Sequence, residues 1–208
     1  MRDSDTQSAI LDAARQLFAR HGYDGASVRA ITRRAHVNLG AITYHFGSKR
    51  ALFEAVIAAT AGPARERILA AAETSGPPLD RIEAMVHAFF DHLYENPELP
   101  HLMVHVMLSA DPVPEAGRRT MAANVGTLAR LITEGQANGS IRPGDPRLMA
   151  LSIASQPLWL ALAHRVLLEG ISIDQEDPET RARLVESVVD FVRAGLSADA
   201  ETSHESLE

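Results

Sequence analysis

Residues 27–53 constrain the fold of this chain more than any other stretch. Apolar side chains recur there at the three- and four-residue spacing of a helix face, first over residues 28–35 and again over residues 39–46. Gly47 can end the second helix in a left-handed conformation. Two short helices joined by a brief break are typical of a helix-turn-helix, whose second helix enters the major groove of DNA. A helical hairpin with a solvated basic face is the alternative that the spacing leaves open.

The polar residues of this stretch suit contact with nucleic acid. Ser27 and Asn38 stand at the predicted starts of the two helices, where their side-chain oxygens can accept hydrogen bonds from free backbone amides. Arg29 and Lys49 are among the cations that can meet phosphates, and Gly40 lets the helix backbone approach DNA closely.

The run GAITYHFGSK at residues 40–49, followed by a leucine and a phenylalanine, resembles the TetR family of transcriptional regulators. Gly22-Tyr23 and residues 27–31 carry further parts of the same resemblance, which covers about the first quarter of the chain. It implies an all-α fold, with an N-terminal three-helix helix-turn-helix DNA-binding domain. A C-terminal helical domain for ligand binding and dimerisation would follow.

The resemblance also implies which residues meet DNA. Matching family positions place Tyr44, His45 and Lys49 at phosphates, and Gly40 and Thr43 at bases. With the cap residues and the first arginine, the predicted DNA-binding set is Ser27, Arg29, Asn38, Gly40, Thr43, Tyr44, His45 and Lys49.

The net charge of −7 is divided unevenly along the chain. Residues 1–50 carry +4, and the remaining residues carry −11. This asymmetry indicates that double-stranded operator DNA is met by the N-terminal end alone, because the acidic remainder would repel phosphates.

The sequence argues against several other classes of protein. It has no cysteine, which excludes disulfides, thiol catalysis and thiolate metal sites. It contains no nucleophile elbow, phosphate loop or paired-carboxylate site, so we expect no enzyme. His101 and His105, four residues apart, could share a metal, but no third ligand has matching spacing. We therefore expect no metal site and no cofactor.

The location of the protein is predicted by what the sequence lacks. No apolar run approaches the length of a membrane span, and the N-terminus lacks the apolar core of a signal peptide. We therefore expect a cytoplasmic protein with no membrane partner.

The pattern of breaks predicts three regions. Residues 1–53 would form the DNA-binding domain, residues 54–197 the helical effector-binding and dimerisation domain, and residues 198–208 a flexible tail. Gly62-Pro63 is expected to kink or break the helix that links the two domains.

The last long helices are too apolar for water to cover all of their surface. Burial within one subunit is one explanation. The other is pairing with a second copy around a twofold axis, which a single helix-turn-helix needs to read a palindrome. TetR-like proteins dimerise through their last two helices, so the resemblance favours a homodimer. The predicted interface residues are Leu158, Leu162, Leu184, Val188 and Phe191.

Large, adaptable apolar residues also suggest a pocket for a small apolar effector, although such residues are often plain core. The predicted lining residues are Phe89, Phe90, Met103, Met107 and Trp159. Trp159 lies two residues after Pro157, which is expected to bend its helix and open space beside it.

These features together predict a ligand-responsive, homodimeric regulator. It would be a repressor that a small apolar effector releases from a palindromic operator. The alternative is a DNA-binding regulator of the same fold with no effector, controlled by its abundance or by a protein partner.

Overall fold

The computed structural model describes residues 3–110 and 112–198. This part of the chain is helical, and its one β-type pairing is an isolated bridge between Ile141 and Ser197. The expectation of an all-α fold is therefore confirmed. Within the described residues the helices are α1 Asp3–Gly25, α2 Val28–Arg34, α3 Ala41–Phe46, α4 Lys49–Ala72, α5 Pro78–Glu95, α6 Glu98–Leu108, α7 Glu115–Ala137, α8 Pro146–Leu162, α9 His164–Ile171 and α10 Pro178–Leu196.

The contacts between residues divide the chain into two compact units. The N-terminal unit comprises the residues up to Ala64 together with Glu95–Met121, and the C-terminal unit comprises Arg65–Tyr94 and the residues from Ala122 onward. This division differs from a boundary at residue 53, because α6 and the start of α7 pack with the first helices. The predicted tail lies outside the described residues from position 199 onward.

The core of the N-terminal unit draws apolar side chains from five helices. Phe18 is its largest member, and its ring meets the Phe53 ring edge-on with 4.9 Å between centroids. Each fully buried side chain of this kind contributes about 1.5–3 kcal/mol relative to exposure. The buried side chains include Ile10 of α1, Ile31 of α2, Ile42 of α3, Leu52 of α4 and Leu102 of α6. The helix-turn-helix therefore shares one core with α6.

Gly22 determines how α1 meets α6. It is buried within α1 and has a left-handed φ of 70°. A Cβ added there would lie 3.1 Å from Nδ1 of His105 on α6. Glycine is suited to this position both because its backbone adopts a positive φ without strain and because a side chain would crowd the imidazole.

In the C-terminal unit, the apolar face of α5 is buried. Phe90 and Leu93 of α5 are buried, as are Leu131 and Ile132 of α7 and Ile153 of α8. The helix α10 also buries apolar side chains, which are Val185, Val188, Val189, Val192 and Leu196.

The helix α4 continues through Pro63, so the chain does not break there. A proline inside a helix removes one hydrogen bond but is tolerated where the flanking turns are held. Thr60 on one side is buried and donates its hydroxyl to the Val56 carbonyl at 2.8 Å, and Ile68 on the other side is buried. The boundary between the two units falls directly after this proline, at Ala64–Arg65.

The break between α8 and α9 falls at Ala163, six residues after Pro157, where the sequence predicted a bend. The helix α8 continues past Pro157 to Leu162, and α9 departs at an angle of 69°. The buried side chain of Gln175 donates to the Leu160 carbonyl at 2.9 Å and accepts from the Tyr94 hydroxyl at 3.4 Å. This contact supplies a hydrogen bond at the end of α8, so the helix can stop there.

The surroundings of Tyr94 shift the pKa of its hydroxyl. Burial raises the pKa of its hydroxyl, and the Arg181 guanidinium, 4.4 Å from the ring centroid, lowers the pKa in part.

Among the described residues, no single helix is both long enough and apolar enough to cross a membrane. The helices α8 and α9 reach that length and composition only as a pair, across their 69° bend.

Adding one methyl group at position 22 tests whether the α1–α6 contact requires glycine there. Gly22→Ala should lower the free energy of unfolding by about 1–3 kcal/mol, because alanine is strained at positive φ and its Cβ meets His105. Gly126→Ala is the control: Gly126 lies inside α7 with open space around it, so the same change should raise stability by about 0.5–1 kcal/mol. Urea unfolding followed by circular dichroism measures both. Equal effects of the two changes would contradict this role of Gly22.

Candidate nucleic-acid interface

The start of α2 is held by Ser27, as the sequence predicts. Its backbone is extended, with φ −80° and ψ 149°, and its hydroxyl oxygen accepts a hydrogen bond from the Ala30 amide at 3.1 Å. This bond satisfies one of the free amides of the first turn and fixes the direction in which α2 leaves the loop.

The turn between α2 and α3 is longer than the sequence suggests. His36 has a left-handed φ of 55°, and α3 begins at Ala41 rather than at residue 39. Asn38 contributes its backbone carbonyl, which accepts from the Ala41 amide at 3.1 Å. Gly40 occupies the cap position without a side-chain bond, so the prediction that the Asn38 side chain caps α3 is wrong.

One side of α3 is buried and the other is open to solvent. Ala41 and Ile42 pack into the core of the N-terminal unit, which fixes the rotation of this short helix. Thr43 and Tyr44 are exposed as a result, and Tyr44 retains 77% of its accessible surface. These two residues and Gly40 present a hydroxyl, a phenol ring and bare backbone to the surroundings.

His45 and Lys49 are each held by a neighbouring group. The His45 side chain is only 9% exposed, and its Nε2 lies 3.7 Å from Oδ1 of Asp3. Its ring meets the Tyr44 ring edge-on, with 4.9 Å between centroids. The Lys49 ammonium lies 4.4 Å from the centroid of the Tyr23 ring, within the range of a cation–π contact.

The sequence predicted only that Tyr23 closes the turn after α1, and it did not predict the contacts of the Tyr23 ring with Phe53 and Lys49. Its ring lies 5.2 Å from that of Phe53, centroid to centroid, so the aromatic cluster of the core extends out to Lys49. The glycine before Tyr23 was the available signal, because a left-handed glycine redirects the next side chain.

The arginines near α2 differ in their partners. Arg29 and Arg33 are exposed and form no ion pair within the part of the chain that the structure describes. Arg34 donates from Nε to Oε1 of Gln16 at 2.8 Å. Arg50 donates to the Pro112 carbonyl at 2.8 Å, which turns its guanidinium toward the loop before α7.

The predicted effector residues are spread over both units. Phe90 is fully buried and Phe89 half-buried on α5, whereas Trp159 on α8 is 60% exposed. All three belong to the C-terminal unit. Met103, half-buried, and Met107, exposed, lie on α6 of the N-terminal unit.

The predicted interface residues also differ in exposure. Val188 is only 9% exposed and packs in the core of its own unit, while Phe191 is 68% exposed. Leu158, Leu162 and Leu184 are half-buried.

The last long helices, which the sequence shows to be too apolar for water to cover, expose several apolar side chains along α8 and α9. We call these residues the α8–α9 stripe. They are Leu148, Leu151 and Trp159 of α8 and Val166 of α9. Helical apolar patterns do not distinguish such a surface from a core face, since both have the same period.

No metal centre is found among the described residues: they contain no group of three or more His, Asp or Glu side chains that could hold a metal ion.

Two family models match the chain. The model for bacterial regulatory proteins of the tetR family matches residues 10–56, which contain α2 and α3. The model for the tetracyclin repressor-like C-terminal domain matches residues 78–192, more than half of the chain. The chain belongs to the TetR family of transcriptional regulators. Members of this family are DNA-binding transcription factors and not enzymes.

Individual relatives are similar over different lengths. The HTH-type transcriptional repressor AcnR of Corynebacterium glutamicum is 42% identical over 55 residues, which are 26% of this chain and 29% of AcnR. The chain thus spans less than a third of that relative. The regulator UidR of Escherichia coli K12 is 25% identical over 196 residues, 93% of this chain and 94% of UidR.

The fold is also found in solved structures. The regulator FadR of Bacillus subtilis, solved in complex with stearoyl-CoA, has a TM-score of 0.74 to this chain. The alignment covers 90% of this chain and 98% of FadR at 19% identity, so it shows a shared fold.

The cap residue of this TetR member offers a test that separates folding from DNA contact. Ser27→Ala should lower the free energy of unfolding by about 1 kcal/mol, because the Ala30 amide loses its acceptor. Ser27→Asp keeps an acceptor and should retain the stability of the native protein. If Ser27 meets a phosphate, as predicted from the sequence, Ser27→Asp should still weaken DNA binding, since it adds a repelling charge. Thermal unfolding and fluorescence anisotropy with labelled DNA measure the two effects. Full DNA affinity in Ser27→Asp would place this helix start away from phosphates.

Proposed function

We propose that this protein is a ligand-responsive repressor that binds a palindromic operator as a homodimer, with α3 of each subunit in a major groove. The observation that carries the proposal is the exposed side of α3, with Gly40, Thr43 and Tyr44 open while Ala41 and Ile42 anchor the helix. Most of a repressor's protein–DNA hydrogen bonds go to phosphates, and its side chains on the recognition helix read the bases.

The contacts divide into two kinds. Lys49, Arg29, Ser27 and Tyr44 would meet phosphates from positions beside the recognition helix. Thr43 would contact base edges, and Gly40 would allow the close approach that this needs. Asn38, exposed in the turn before α3, would lie at the edge of the same surface. His45, with its ring against Tyr44, would orient the phenol and meet phosphate only at its exposed edge.

The two kinds of contact respond differently to mutation. Lys49→Gln should weaken binding to every DNA sequence alike and flatten the slope of log affinity against log salt by about one unit. Lys49→Arg keeps the charge and should keep the slope. Thr43→Ala should change sequence preference while leaving the salt slope unchanged. Anisotropy titrations over a series of salt concentrations measure these quantities. An unchanged slope in Lys49→Gln would remove Lys49 from the phosphate contacts.

A second copy of the chain is the partner that best fits the α8–α9 stripe. Large exposed apolar patches mark interaction surfaces, and Phe191 on α10 adds a further exposed ring in the same unit. A closed twofold dimer uses the same patch on both subunits, and it presents two recognition helices to the two halves of a palindrome.

The dimer can be disrupted without unfolding one subunit, since Trp159 and Phe191 are exposed in the single chain. Trp159→Glu or Phe191→Glu should cost about 3–5 kcal/mol for each carboxylate buried at the interface and yield a folded monomer with weak operator binding. Ala182→Glu, at an exposed position of α10, should remain dimeric. Val188→Glu should instead unfold the protein, because Val188 lies in the core. Sedimentation equilibrium and circular dichroism distinguish these states, and dimeric Trp159→Glu and Phe191→Glu proteins would contradict the assigned face.

An apolar effector would act through the C-terminal unit, where Phe89 and Phe90 lie on α5. FadR of Bacillus subtilis was solved with stearoyl-CoA, and by analogy we propose an apolar or amphipathic ligand here. Such a ligand releases DNA only as far as its affinities for the DNA-binding and released conformations differ.

The burial of Phe90 favours an alternative, in which the same unit is filled by its own side chains. The protein would then be a regulator without an effector, controlled by abundance or by a protein partner. Isothermal titration with hydrophobic metabolites separates the two functions. Binding to an operator on the chromosome would place either form of the protein in the cytoplasm.

A further inference from the structure

A second candidate site lies within the N-terminal unit, away from the C-terminal residues proposed for the effector. A cavity of about 280 Å³ is lined by the end of α1, the start of α4, the end of α6 and residues of the loop that follows α6. Phe53 and Val106 form part of its apolar wall, while His21, Tyr23 and His105 provide polar groups. A small amphipathic ligand needs both kinds of group, an apolar surface for its body and polar groups that fix its orientation.

The polar groups of this wall are available to a ligand. Within the part of the chain that the structure describes, the imidazoles of His21 and His105 and the hydroxyl of Tyr23 form no hydrogen bond and no ion pair. Gly22 contributes to this arrangement, because the absence of a side chain lets His105 lie against the α1 backbone at the cavity wall.

The hydrogen-bond donors around the cavity suit a carboxylate. Each imidazole carries an N–H donor whether neutral or protonated, whereas the Arg50 guanidinium in the wall is already bound to the Pro112 carbonyl and lies 3.5 Å from Oε1 of Glu54. Asp24 is the carboxylate among the described lining residues. Hydrogen bonds that join such donors to a carboxylate are stronger than those between neutral groups.

We infer that this cavity binds a small amphipathic carboxylate, with its apolar body against Phe53 and Val106 and its carboxylate between His21 and His105. The site is distinct from the effector site of the C-terminal unit. Its volume suits a single aromatic or branched acid rather than a long acyl chain.

Tyr23 connects this cavity to the DNA-contacting surface. The same ring lines the cavity and carries the Lys49 ammonium at 4.4 Å from its centroid. A ligand that moves this ring therefore moves a cation proposed to meet phosphate. This coupling rests on the proposed function, and it is reciprocal: the factor by which the acid changes operator affinity equals the factor by which operator changes the affinity for the acid.

The probe is sodium benzoate, added to the full chain with isotope-labelled histidines and followed by nuclear magnetic resonance. Saturable shifts of the His21 and His105 signals are expected. His105→Ala should weaken benzoate binding about tenfold through loss of a charge-assisted hydrogen bond. His101→Ala, on the same helix and outside the cavity, is the matched control and should bind normally. Benzyl alcohol, which lacks the carboxylate, should bind more weakly than benzoate.

A second variant tests the site in case His105→Ala fails to fold. His21 is exposed, so His21→Gln should fold normally and still weaken benzoate binding. Absence of saturable shifts at His21 and His105, or equal benzoate affinity in His105→Ala, His21→Gln and His101→Ala, would overturn the site. This measurement needs no DNA. A failure of operator binding in the absence of benzoate would count against the proposed function alone.

Discussion

The packing of α1 on α6 is the interaction on which the rest of the N-terminal unit depends. Phe18 and Leu102 belong to one buried core, and Gly22 lets the α1 backbone lie against His105. Without α6 the short helices α2 and α3 would leave this core open, since helices of seven and six residues are unstable alone. The proposed DNA-contacting surface therefore depends on α6, which lies far along the chain, and a change in α6 should alter the packing of α1.

The sequence predicted α2 and α3 of the helix-turn-helix, because neighbouring residues specify them. The Ser27 cap, the buried Ile31 and Ile42 and the stop at Gly47 depend on residues a few positions apart. It did not predict that α8 ends at Ala163. Alanine favours helix, and the hydrogen bond from Gln175 to the Leu160 carbonyl joins residues 15 positions apart. The same limit applies to the contact of Lys49 with Tyr23 and to the membership of α6 in the N-terminal unit.

The exposed α8–α9 stripe and the asymmetric charge have a common explanation in the proposed dimer. The stripe would be covered by its copy, and the acidic C-terminal part would keep DNA at the two basic ends. Membership in the TetR family accounts for the arrangement of the helices, whereas the side chains on α3 decide which operator is read.

A hydroxyl-radical footprint of the full-length protein on the DNA flanking its own gene tests the central claim most directly. Two recognition helices related by a twofold axis should protect two patches on one face of the duplex. The centres of these patches should lie about 34–36 Å apart or a multiple of that distance, and the DNA between them should be a palindrome. A single protected patch, or uniform protection without a boundary, would contradict a dimer that reads two half-sites through α3.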